Sequence, residues 1–184
     1  MMEVSRMALR LTLIVLGSLV LISYVIGFVR ADDPMAFWGG LRENGWKFVV
    51  PFMLLAIIGF VLFWWTALFT IQDEEMKKLR WPCGASDDQG GFRLLLSMLI
   101  FLVPSIFWLE ATIFHVKNRY SWSPVLPIGI LVLVAIGCIM FGLLALAALQ
   151  DSLPGAKRML VGAVLVGIQC IINDAIIWNA MFPW

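Results

Sequence analysis

Of twelve acidic residues in the chain, two, Glu110 and Asp174, fall inside long apolar runs. A carboxylate at the centre of a membrane helix costs about 2.5–3.5 kcal/mol on insertion scales, so such residues usually line cavities or find a partner. The single histidine, His115, follows Glu110 by about one turn, and Asn173 and Gln169 lie close to Asp174. With Tyr24, these six residues (Tyr24, Glu110, His115, Gln169, Asn173 and Asp174) form a candidate intramembrane polar layer. In an up-and-down arrangement, Glu110 and Asp174 lie roughly 24 and 22 Å from the same face at about 1.5 Å rise per residue. If they met across helices, the two acids would form a proton-handling pair.

Spacing limits that chemistry. Glu110 and His115 are about 140° apart around an ideal helix, so one helix face cannot carry them as a dyad. Pro104, one turn and a half earlier, removes a backbone hydrogen bond and can redirect the end of its helix. One histidine and two scattered carboxylates make a thin ligand set, and no metal is expected. No phosphate-binding glycine pattern, G-x-S-x-G or H-E-x-x-H occurs, and the catalytic residues stay unassigned. No cofactor is expected, although a bound lipid is compatible with the composition. The structural alternative is that Glu110 reaches headgroups, Lys117 or Arg119, while Asp174 is satisfied by Asn173 or a partner's backbone.

The elements that must position these residues are legible. The chain has 184 residues, 62% hydrophobic and 14% charged, against roughly 45–50% and 25% for soluble domains. Its mean hydropathy is +0.96. A helix crossing about 30 Å of hydrocarbon needs roughly 20 mostly apolar residues. Five such runs occur, at about 11–29, 48–72, 93–116, 124–150 and 157–182. The expected fold is therefore all-α: a five-helix up-and-down transmembrane bundle with short loops, forming one domain over residues 1–184. Most of the nine Trp lie near the ends of these runs, where amphipathic rings settle at a bilayer interface. The first run could be read as a cleaved signal sequence, but its uncharged stretch from Leu11 to Val29 exceeds the usual signal core, which favours a retained helix.

Two faces suggest packing. In the fourth run, Ala135, Cys138, Gly142 and Ala145 recur at three- and four-residue steps, a pattern that lets helices approach closely in lipid. In the fifth, Gly162, Gln169 and Asn173 share a face whose amides should point into a bundle or another subunit. A net charge of +1 leaves no basic excess for nucleic acid. With the N-terminus cytoplasmic, eight Lys/Arg lie inside against five outside, which places the C-terminus on the opposite side. Three functions fit: a non-catalytic subunit or assembly component of a larger membrane complex, a small proton-linked transporter or channel, and a lipid- or quinone-directed membrane enzyme. The first is favoured, with membrane lipids, other membrane subunits or a second copy as partners.

Overall fold

A computed structural model describes residues 4–42, 44–84 and 87–184. Among these the chain is all-helical, 81% helix with no strands. Five helices are long and apolar enough to cross a membrane: α1 (Arg6–Arg30), α2 (Gly45–Thr70), α4 (Gly90–Asn118), α5 (Val125–Gln150) and α6 (Ala156–Met181). A short helix, α3 (Asp73–Lys77), and a 3-10 segment (Pro34–Leu41) lie in the connections. The ends agree with the hydropathy reading to within a few residues, except that α1 starts earlier. There the Ser5 hydroxyl accepts from the Ala8 N–H at 3.2 Å, and this N-cap extends the helix over polar Arg6 and Arg10.

Sequence neighbours are not spatial neighbours throughout. α1 packs along α4, α4 against α5, α5 against α6, and α6 against α2. α2 and α6 approach backbone to backbone at Gly59 and Gly162. A Cβ on Gly162 would lie 2.5 Å from the Gly59 carbonyl oxygen, and one on Gly59 would lie 2.7 Å from the Gly162 oxygen. Of the small residues expected to pack α5, Cys138 and Ala145 are buried, but Ala135 is half-buried and a Cβ on Gly142 would touch nothing within 4 Å. The close contact of α5 falls instead at Gly137, whose added Cβ would meet the Phe101 backbone of α4 at 3.0 Å. The contact face of α5 is thus turned away from part of the predicted stripe.

The half of the bundle nearest the start of α1 holds the largest core, including Leu9, Phe63, Trp64, Met98, Phe141 and Met159. Its centre is aromatic: Phe141 sits 4.8 Å from Phe63, 5.2 Å from Phe101 and 5.4 Å from Trp64, ring to ring. Offset and edge-on pairs of this kind add roughly 0.5–1.5 kcal/mol each beyond the area they bury. The opposite half splits into two smaller clusters, one around Trp178 and Phe182, the other around Phe37, Leu109 and Ile113.

Arginines close the first end. α2 finishes in a π-helical turn, Thr66–Thr70, and the Leu68 carbonyl accepts from Arg6 at 3.2 Å and Arg10 at 2.6 Å. Two cations thus meet the negative end of the α2 dipole. Arg10 also lies 4.2 Å over the Phe69 ring, and Arg6 pairs with Asp73. Arg80 grips Asp151 through two bonds of 3.1 and 2.8 Å, while its remaining nitrogen donates to the carbonyls of Pro82 and Gly84. The far end is tied by Trp178, whose indole N–H donates to the Phe37 carbonyl at 2.7 Å. It is tied as well by the ion pairs Arg42–Asp33 and Lys117–Asp32.

Candidate functional site

The polar residues of α6 are assembled by an irregularity in its backbone. From Ile168 to Trp178 the helix is π-helical, with i→i+5 hydrogen bonds in place of i→i+4. Such stretches are rare and concentrate at functional sites. A wider turn rotates each residue less, so residues five apart come onto neighbouring angles instead of nearly opposite ones. Gln169 can therefore hold both of its neighbours. Its Nε2 donates to Asp174 Oδ1 at 2.8 Å, and its Oε1 accepts from Asn173 Nδ2 at 3.0 Å. Gln169 and Asn173 are buried, 5% and 4% exposed, so the amides pair with one another where water is scarce.

Asp174 is half-buried. Among the described residues its second carboxylate oxygen accepts no hydrogen bond, and the Tyr24 hydroxyl of α1 makes none. Tyr24 nevertheless lies within electrostatic reach of Asp174 and Cys170, so α1 brings a phenol towards the triad. The Tyr24 ring is held from below by Trp108 of α4, 5.9 Å away, and Trp108 in turn meets Trp178 at 5.6 Å. Cys170 turns towards Cys138 of α5 and lies within electrostatic reach of Asp174.

The other predicted members of the layer lie in different surroundings. Glu110 pairs with Arg30 at the end of α1, at 3.1 Å, with both side chains open. Its partner is thus neither Asp174 nor Lys117 or Arg119. His115 hydrogen-bonds Ser123 at 2.7 Å and is flanked by Phe182 and Trp184, 5.9 and 5.3 Å between ring centroids. The six residues therefore divide into three groups: Tyr24 with Gln169, Asn173 and Asp174; Glu110 with Arg30; and His115 with Ser123. Among the described residues no cluster of three or more His, Cys, Asp or Glu side chains could hold a metal ion.

Arg30 and Ser123 are the site partners that residue type alone did not reveal. Arg30 carried a readable signal, since an arginine ending a helix can snorkel to a nearby carboxylate. Ser123 carried none, because its contact depends on how the loop after α4 folds back.

Fold and site together define an all-helical bundle whose five long apolar helices are compatible with an integral membrane location. No known protein family, curated protein or solved structure matches the chain.

Proposed function

We propose that this chain is a non-catalytic integral membrane subunit that seats a transmembrane segment of another protein beside Tyr24 of α1 and Asp174 of α6. The observation that carries this reading is the half-satisfied carboxylate. The π-helical segment fixes Asp174 through Gln169 and, among the described residues, leaves one of its oxygens without a hydrogen-bond partner at a half-buried position. In lipid, such an acceptor is completed by a donor on a neighbouring helix, worth about 0.6–1.7 kcal/mol. α1 suits this purpose, because only 6% of its most apolar window is buried within the chain. The partner's contribution is a side-chain N–H or O–H at the depth of Asp174, with membrane lipids covering the remaining surface.

The orientation belongs to the same reading. The end closed by Arg6, Arg10 and Arg80 also exposes Lys78, Lys157 and Arg158, and this excess of cations supports a cytoplasmic position for it. The C-terminal end of α6 then lies on the opposite side.

Gentle extraction of the tagged chain followed by native mass spectrometry tests the proposal. A membrane protein in fixed stoichiometry is expected, and Asp174→Asn combined with Tyr24→Phe should reduce its recovery about tenfold, the equivalent of ~1.4 kcal/mol. Recovery of a lone monomer from mild detergent would overturn the assignment. A proton-linked transporter is the second reading, favoured by the same accessible carboxylate on a π-helical segment. Flux into proteoliposomes that survives both Glu110→Gln and Asp174→Asn would eliminate it.

A further inference from the structure

A separate group of residues, at the end of the bundle where α4 finishes and α5 begins, has the makings of a ligand site. A cavity of about 470 Å³ is lined by His115, Arg119, Tyr120, Ser121, Pro124, Pro183 and Trp184. His115, 4% exposed, is the most deeply set of the polar residues around this space.

The protonation of the ring at Nδ1 follows from its partner. The Ser123 hydroxyl has one proton, and it is donated to the Tyr120 carbonyl at 2.7 Å. Assigning that proton to the carbonyl makes the Ser123 oxygen the acceptor in the 2.7 Å contact with His115 Nδ1, which then carries hydrogen. A neutral ring is then the Nδ1–H tautomer, with a bare lone pair on Nε2. Nε2 makes no hydrogen bond among the described residues.

Arg119 supplies the complementary charge. Its guanidinium acts electrostatically on His115, and no described carboxylate pairs with it. The residue ends α4 in the left-handed region, at φ 48° and ψ 36°, with its N–H bonded to the His115 carbonyl at 2.9 Å. Glycine is the usual occupant of that position. The sequence thus keeps a long cationic side chain where the backbone favours none.

One cation and one unpaired acceptor on a largely buried ring, walled by aromatic rings, ask for a ligand with an anionic group beside a hydrogen-bond donor. We propose that this cavity binds a phosphate ester carrying a neighbouring N–H or O–H, as in the headgroups of phosphatidylethanolamine and phosphatidylglycerol. Arg119 takes the phosphate oxygens through its planar fork, and the headgroup's ammonium or hydroxyl donates to His115 Nε2. Tyr120 and Trp184 form the walls, in the aromatic zone typical of a membrane's headgroup layer. The site is separate from Tyr24 and Asp174, and its success or failure leaves the subunit reading untouched.

The lone histidine makes the test direct. The full chain, labelled with 15N-histidine, is placed in nanodiscs of phosphatidylcholine alone, or mixed equally with phosphatidylethanolamine or phosphatidylglycerol. In phosphatidylcholine, whose headgroup has no donor, the ring should show a protonated Nδ1 and a bare Nε2. Either mixed lipid should shift the Nε2 resonance. Arg119→Gly should abolish that shift and reduce retention of the lipid in native mass spectrometry about tenfold, while its melting temperature stays equal or rises because the backbone strain is relieved. Glycerol phosphate and phosphoethanolamine, added to phosphatidylcholine discs, separate the two sources of this chemistry. A response to these soluble esters identifies a water-borne ligand, and a response to the lipids alone identifies a headgroup. An Nε2–H or doubly protonated ring in phosphatidylcholine, no Nε2 shift with any ester, or undiminished lipid retention by Arg119→Gly would each overturn the proposal.

Discussion

Replacing Gly162 with leucine should separate α6 from α2 and destabilise the bundle by about 3 kcal/mol, the upper end for overpacking a closed interface. The magnitude follows from what the new side chain would strike. Its Cβ would sit 2.5 Å from the Gly59 carbonyl oxygen, 2.8 Å from the Phe63 nitrogen and 3.2 Å from the Phe63 Cα. All three are backbone atoms, so no rotamer change can make room and the whole helix must move. That shift would also disturb Phe63, the ring 4.8 Å from Phe141 at the centre of the core. Gly142→Ala is the matched control, because its Cβ meets nothing within 4 Å and a helical Gly→Ala change gains up to about 1 kcal/mol. Thermal unfolding followed by size exclusion in one detergent compares them. Equal melting temperatures for the two variants would show that the Gly59–Gly162 approach contributes nothing to stability.

The second large effect is expected at Arg93. Its guanidinium donates to both oxygens of Asp87 at 2.7 Å and to the Leu79 carbonyl at 2.9 Å. It thereby joins α4 to the segment that follows α3. Arg93→Met keeps much of the aliphatic stem but strands the Leu79 carbonyl and the carboxylate. Because the Asp87 side chain is 43% exposed and can turn to water, the loss falls short of the penalty for a fully buried pair, and it should be read as a lowered melting temperature.

The same contact predicts an acid response. Hydrogen bonds from Arg93, aided by the Gln89 N–H and opposed by partial desolvation, hold the Asp87 carboxyl below the usual carboxylate range. A lowered folded pKa means that the unfolded chain binds the proton more readily. The contribution is therefore fully present above the unfolded value of about 3.9 and is lost as pH falls through the folded value. Wild-type stability should decline below about pH 4 more steeply than that of Asp87→Asn, which cannot titrate there. Parallel acid-unfolding curves for the two would remove Asp87 from the account.

Hydropathy located all five long helices because a run of about 20 apolar residues is a property of composition, visible without any partner. The same logic set Glu110 and Asp174 apart. Gly162 was also readable as a packing position, since small residues on one face signal close approach in lipid. Gly59, its counterpart, and Gly137, which takes the place expected of Gly142, were not. Each is one glycine in an apolar stretch, and only the rotation of its helix reveals which side meets a neighbour.

The candidate site follows the same division. An ideal α-helix puts Gln169 and Asn173 on one face and leaves Asp174 to one side. The π-helical hydrogen bonding widens the turn and lets Gln169 hold all three together. Nothing in residue type announces that widening. Depth along a helix puts Glu110 and Asp174 in one expected layer, but depth carries no information about azimuth. Glu110 turned towards Arg30 of α1, and Asp174 towards Gln169 of its own helix. The sequence by itself determined how many apolar helices form and which polar residues they carry, because both depend on local composition. Only the tertiary structure decided which of those residues meet, because helix rotation, backbone widening and loop folding are set by contacts between segments far apart in the chain.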